Sequence, residues 1–150
     1  MSKVSLQEFA DRLNELMPTI AREFLRRQTI EFFKGKITVP QLCVLDFLYR
    51  YGPSKMTDLA HSMDVTTAAM TGVVERLVRD AYAVRVFDST DRRIIKITLS
   101  PAGTALVRSI IAQKRQMIIR VFGKISQHER ETYLKILTHV HQVLGKIPEA

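Results

Sequence analysis

Apolar residues near the start of the chain, Leu6, Phe9, Leu13, Met17, Ile20 and Phe24, recur every three or four positions. That spacing places them on one stripe of a helix. Ser5 and Glu8 frame its start as a capping box, in which the hydroxyl takes the amide of the third helical residue and the carboxylate reaches back. The predicted helix ends at Gly35, and Pro18 predicts a kink or break near Leu16, because proline lacks an amide and crowds the carbonyl four residues earlier. A second long helix is predicted from the Ser100-Pro101 cap to about Phe122, with Gly123 as its stop. A second capping box, Ser126 and Glu129, opens a last helix with the narrow stripe Leu134, Leu137, Val140 and Leu144.

Between these ends the periods shorten. Val44, Leu45 and Leu48 predict a helix over 38–51, closed by Gly52-Pro53. Met56, Leu59, Ala60 and Met63 fit a short helix buried along one stripe. Asp64-Val65 predicts a tight turn, and Asp tolerates the left-handed backbone such turns need. Thr66 then caps a helix turning Met70, Val73, Val74, Leu77 and Val78 inward. Two alternating strands follow, with Val84 and Val86 and then Ile95, Ile97 and Leu99 expected to supply one inward face.

The order helix, helix, turn, helix, hairpin predicts a mainly α fold with a small β-hairpin. It is a winged helix-turn-helix over 37–100, with the helix-turn-helix at about 55–79 and the wing at 83–99. With no repeat or linker, residues 1–150 read as a single domain. The flanking regions, 1–36 and 101–150, carry more apolar surface than the middle segment can cover, so they are expected to be dimerisation helices of a homodimer.

The helix after the turn leaves Thr66, Thr67, Ala68, Thr71, Gly72, Glu75, Arg76 and Arg79 outward. Small residues permit close approach to a duplex groove, hydroxyls reach base edges or phosphates, and Arg76 reaches a flanking phosphate. The hairpin loop Asp88 to Arg93 has six residues and no glycine. Arg92 or Arg93 is expected to enter a minor groove, with Asp91 holding the guanidinium. Taken residue by residue, Thr66 and Thr67 also fit plain helix caps, and the loop charges fit a surface ion pair worth about 0 to 1 kcal/mol.

Asp91, Arg93, Leu99 and Ser100 resemble the wing signature of the MarR family, in which Asp-x-Arg is followed after five residues by Leu-Thr. Gln41, Val44-Leu45, Leu48, Gly52-Pro53, Asp58-Leu59-Ala60, Val65 and Arg76-Leu77 resemble its upstream pattern in order and spacing, and the flanking helices resemble its dimerisation helices. The resemblance implies a winged-helix regulator whose ligand crevice lies between the dimerisation helices and the winged segment, with a small aromatic effector, an oxidant or zinc as the signals relatives answer to. Three positions depart from the pattern. Gly72 stands where a long polar or basic residue is usual, at a helix-propensity cost of about 1 kcal/mol against Ala. Asp64 and Ala81 replace glycines, and a left-handed Ala81 costs roughly 1 to 2 kcal/mol, so a remodelled turn is expected there.

The net charge of +8 fits a polyanionic partner, but its location tempers that. Residues 100–125 hold Arg108, Lys114, Arg115, Arg120 and Lys124 and no acid, which is over half the excess, whereas residues 50–99 carry eight basic and six acidic groups. The single cysteine, Cys43, has no basic neighbour in sequence and is expected to pack inertly. His139 and His141 point about 200° apart on a helix, and His61 and His128 complete no ligand spacing, so neither a metal nor another cofactor is expected. No run of about 18 apolar residues occurs, so a soluble, cytoplasmic protein without a membrane segment is expected. No catalytic motif competes, so an enzyme is not expected. The sequence therefore points to a homodimeric regulator, a ligand-responsive repressor on a pseudo-palindromic duplex. A winged helix serving protein interaction, or a redox-responsive regulator using Cys43, remains open.

Overall fold

The computed structural model describes residues 4–32 and 37–147. The expected helix stop at Gly35 lies outside the described residues. Six helices and one hairpin follow in the order α1 Leu6–Phe32, α2 Val39–Tyr51, α3 Met56–Ser62, α4 Thr67–Arg79, β1 Ala83–Phe87, β2 Ile95–Leu99, α5 Pro101–Phe122 and α6 Gln127–Leu144. The chain forms two compact units, residues 1–110 and 111–150.

In the first unit, α1 runs unbroken through Pro18, so the expected break does not occur. A proline forfeits one backbone bond, and the turns around it are tied by other means. Arg12 pairs with Glu8 at 2.8 Å, and the Thr19 hydroxyl donates to the Glu15 carbonyl. The Glu8 amide donates to Ser5 Oγ at 3.1 Å, as the capping pattern required.

Each helix boundary of the winged segment has a chemical cause. Thr38 and Gln41 form a reciprocal capping box on α2, and buried Gln41 accepts from both the amide and the hydroxyl of Thr38. Gly52 ends α2 at φ +77°, where a side chain would be strained, while its amide returns to the Leu48 carbonyl. Asp64 takes φ +51° in the turn between α3 and α4. The core joins Val44, Leu45 and Leu48 of α2, Leu59 and Ala60 of α3 and Met70, Val74 and Leu77 of α4. Ile37, Ala83, Ile97 and Val107 complete it.

The hairpin register corrects the expected inward face. Ala83 pairs with Leu99, Arg85 with Ile97 and Phe87 with Ile95. Directly opposed residues share a face of an antiparallel pair, so Val84 and Val86 lie with Thr98 and Lys96 and not with the isoleucines. The buried face is Ala83, Ile97 and Leu99, and Arg85 flanks it, within 4.0 Å of Glu75 on α4. Of the residues expected to face inward, Ile97 is buried and Leu99 and Val86 partly so, while Val84 and Ile95 are exposed, because cross-strand register depends on loop geometry. A further bridge absent from the pattern analysis joins the sheet to the segment after α2. Ser54 and Ile97 exchange backbone bonds of 3.0 and 2.8 Å.

The turn after α4 is not remodelled. Ala81 stands at φ +62°, with its amide on the Val78 carbonyl and the Tyr82 amide on the Leu77 carbonyl, a Schellman closure that requires the left-handed residue. Ser100 locks this turn from the far side of the hairpin. Its hydroxyl donates to the Ala81 carbonyl at 2.6 Å, accepts the Gly103 amide and so caps α5, while its own amide donates to the Tyr82 carbonyl. Gly103 permits this approach, since a Cβ there would lie 1.9 Å from the Tyr82 oxygen.

In the second unit, Ser126 and Glu129 form the predicted reciprocal box at the start of α6. The Ser126 hydroxyl and amide hold the Glu129 carboxyl below its ordinary pKa. None of the residues of α6 is buried, and Leu134 is 64% exposed. In the first unit Leu6, Phe9, Leu16 and Met17 of α1 are likewise exposed, Leu6 by 82%.

Candidate nucleic-acid interface

Helix α4 is held by its apolar stripe, and its free side is the face the sequence singled out. Thr66, Thr67, Ala68, Gly72 and Arg76 are exposed, and Thr71 is half-buried. Residues 68, 72 and 76 form one row at four-residue spacing, and 67, 71 and 75 form the adjacent row. Thr66 Oγ1 accepts the Ala69 amide at 3.2 Å as the helix cap, which leaves its proton free to donate outward. Thr71 does the opposite, donating to the Thr67 carbonyl at 2.7 Å and keeping only lone pairs for a partner. Of the three threonines expected to present hydroxyls, two therefore already serve the helix, and Thr67 keeps the full donor and acceptor capacity of its hydroxyl.

No packing reason explains Gly72. A Cβ there would meet nothing within 4 Å, and its backbone is helical. Arg79 pairs with Asp80 at 3.1 Å, while Arg76 has no ion pair among the described residues. Cys43 is exposed on α2, which corrects the expected packing role. Gln41, Val44, Leu45 and Leu48 take the buried side of that helix, and position 43, about 200° round from Gln41, falls on the opposite side.

At the wing tip Arg92 and Arg93 are exposed, and among the described residues neither has an acid partner. Asp91 does not hold a guanidinium. Its carboxylate accepts the Arg93 amide at 3.0 Å and its carbonyl accepts the Ile94 amide, because a short side chain finds its own backbone two residues on before it reaches a long mobile one. Asp88 was missed as a contributor. It accepts from the Thr90 amide and hydroxyl and the Asp91 amide, and it pairs with Lys96 at 2.5 Å. The Lys96 ammonium first, then the Thr90 and Asp91 donors, hold its carboxyl well below the usual carboxylate range. The signal was present in the sequence, since Asp followed two residues later by Thr is an Asx-turn pattern.

Among the described residues, no three His, Cys, Asp or Glu groups come together as a metal site, and no helix is long and apolar enough to cross a membrane.

Residues 36–94 match the sequence model of the MarR family. The chain is 28% identical over 130 residues to the HTH-type transcriptional repressor NicR of Pseudomonas putida, covering 83% of this chain and 82% of that protein. Its backbone is similar to a MarR family protein from Bacillus stearothermophilus, with TM-score 0.84, 22% identity and coverage of 94% and 99% of the two chains. It is also similar to FabT of Streptococcus pneumoniae, solved in complex with DNA, with TM-score 0.76, 20% identity and coverage of 93% and 99%. The name NicR carries is that of a transcriptional repressor and not of an enzyme. Its winged helix is the fold of these structures, and its middle segment, residues 36–94, is similar to the MarR family of winged helix-turn-helix regulators.

Proposed function

We propose that this protein is a DNA-binding transcriptional regulator that acts as a cytoplasmic homodimeric repressor on a pseudo-palindromic operator. The observation that carries the reading is the pairing of a small and polar outward face on α4 with a wing tip whose two arginines have no acid partner among the described residues. Helix α4 serves as the groove-entering helix, with Thr66, Thr67, Ala68, Thr71 and Gly72 toward the bases and Arg76 toward phosphate. Arg92 and Arg93 follow the adjacent minor groove, and Asp91 shapes the loop that carries them. Exposed apolar stripes on α1 and α6 support the homodimer, because Phe9, Met17, Leu137 and Val140 would otherwise face water. Two-fold symmetry then sets half-sites about one helical turn apart. NicR is named as a repressor and FabT was solved on DNA, which supports the sign of control and the partner. A small aromatic effector is the signal class the family likeness favours.

Salt dependence tests the reading. Duplex affinity is expected to fall linearly with log salt, at about 0.9 per phosphate contact. Arg93→Ala is expected to weaken duplex binding while leaving dimer mass and helix content unchanged. Absence of any duplex affinity at low salt would instead assign the winged face to a protein partner, and an unchanged affinity in Arg93→Ala would remove the wing from the mechanism.

A further inference from the structure

The wing tip holds its shape without the two usual means. Residues 88–93 contain no glycine, and Ser89, Thr90, Asp91, Arg92 and Arg93 are all exposed, so neither a permissive backbone nor a buried side chain fixes the loop. Asp88 does. Oδ1 of its carboxylate accepts the Thr90 amide at 2.9 Å, the Thr90 hydroxyl at 2.5 Å and the Asp91 amide at 3.1 Å. Oδ2 meets Lys96 Nζ on the returning strand at 2.5 Å, and the Asp88 amide closes the loop base on the Ile94 carbonyl at 2.9 Å. The Asp88 side chain is only 10% exposed. A carboxylate beside a polyanion ordinarily opposes binding. Here three donors and a lysine occupy the charge, so it costs little and organises the backbone on which Arg92 and Arg93 stand.

We propose that Asp88, clamped by Lys96, is the positioning residue of the wing, preorganising the loop so that Arg92 and Arg93 meet the duplex without a further ordering cost. The inference rests on the DNA-binding reading above and adds the group that makes the arginines effective. Asp88 touches no nucleic acid in this role and acts through its two neighbours.

The test is a double-mutant cycle on the full chain, using as probe a duplex that the wild-type protein selects from a random-sequence pool. Asp88→Ala is expected to weaken binding about tenfold. In an Arg92→Ala, Arg93→Ala background the same change is expected to have no further effect beyond about twofold. Lys96→Met should give an intermediate loss, and Asp88→Asn, which keeps the Oδ1 acceptor, should retain most of the affinity. Amide exchange at Thr90 and Asp91 should accelerate in Asp88→Ala without any DNA present. An equal loss from Asp88→Ala in both backgrounds would mean a role in general stability and would overturn the proposal. So would unaltered exchange, or wild-type affinity in Asp88→Ala. If Asp88→Ala fails to fold, the Asp88→Asn and Lys96→Met arms decide by the same cycle. Should the wild-type protein enrich no duplex at all, the DNA reading falls and the inference with it, whereas binding by the wild type with an intact Asp88→Ala removes the inference alone.

Discussion

Ala81 is a place where this chain spends stability, and Ala81→Gly is expected to recover it. The residue stands at φ +62° in a closure whose bonds need that geometry, with its amide on Val78, its carbonyl receiving the Ser100 hydroxyl and the next amide on Leu77. An L side chain in the left-handed region costs about 1 to 2 kcal/mol. Glycine removes that cost but adds unfolded-state freedom worth about 0.4 to 1 kcal/mol. The methyl group is exposed, so no buried area is lost. The net gain is about 0.8 kcal/mol from these two ranges, or an upward shift of about 0.3 M in the urea midpoint for a chain of this size. Urea unfolding followed by circular dichroism at 222 nm, at one fixed protein concentration, reads it directly. Asp64→Gly, also at positive φ, is expected to gain less, because Asp visits that region with a smaller penalty. A lowered midpoint in Ala81→Gly, at unchanged slope, would show that the turn is not left-handed in solution and would refute the reasoning.

Three further outcomes follow from the same geometry. Gly103→Ala is expected to destabilise the protein by about 2 kcal/mol or more, as overpacking does. Its Cβ would sit 1.9 Å from a Tyr82 carbonyl that the Ser100 amide already holds, and an unchanged midpoint in the same urea experiment would place α5 elsewhere. Gly72→Ala is expected to stabilise α4 by about 1 kcal/mol, since the site is open and helical; a loss would reveal a contact at Gly72 that the fold does not contain. Asp88 has a depressed native pKa, so its contribution is fully present above the unfolded value of about 3.9 and is lost only as pH falls through the lower native value. A carboxyl-carbon NMR titration should show its midpoint below that of an ordinary aspartate, moving up in Lys96→Met, and an ordinary midpoint would mean the clamp is open.

Legibility in the sequence followed the range of the interactions. Capping at Ser5, Thr66, Ser100 and Ser126 was readable, because a cap joins residues three apart. The helix stripes of α2 to α4 were readable for the same reason. The roles within the site were less so. Asp91 and Arg93 were rightly seen as wing residues, yet the partner of Asp91 is the backbone, and the organising acid is Asp88. Cys43 sits among apolar neighbours in sequence and still faces outward, because a helix turns neighbouring positions 100° apart.

The sequence by itself determined the order of elements, the winged class, the helix that carries the small and hydroxylated face, and the arginines of the wing. Local periodicity and capping are properties of a few consecutive residues, and the family signature lies within ten. The tertiary structure decided what depends on contacts between distant residues. It chose the hairpin register that separates Val84 and Val86 from Ile97, and it added the bridge from Ser54. It also held Ala81 left-handed through Ser100, nineteen positions on. A residue-level pattern states which groups are available. Only closure of the chain states which donor each acceptor takes, and in the wing that choice turned Asp91 to the loop backbone and gave Asp88 the lysine of the returning strand.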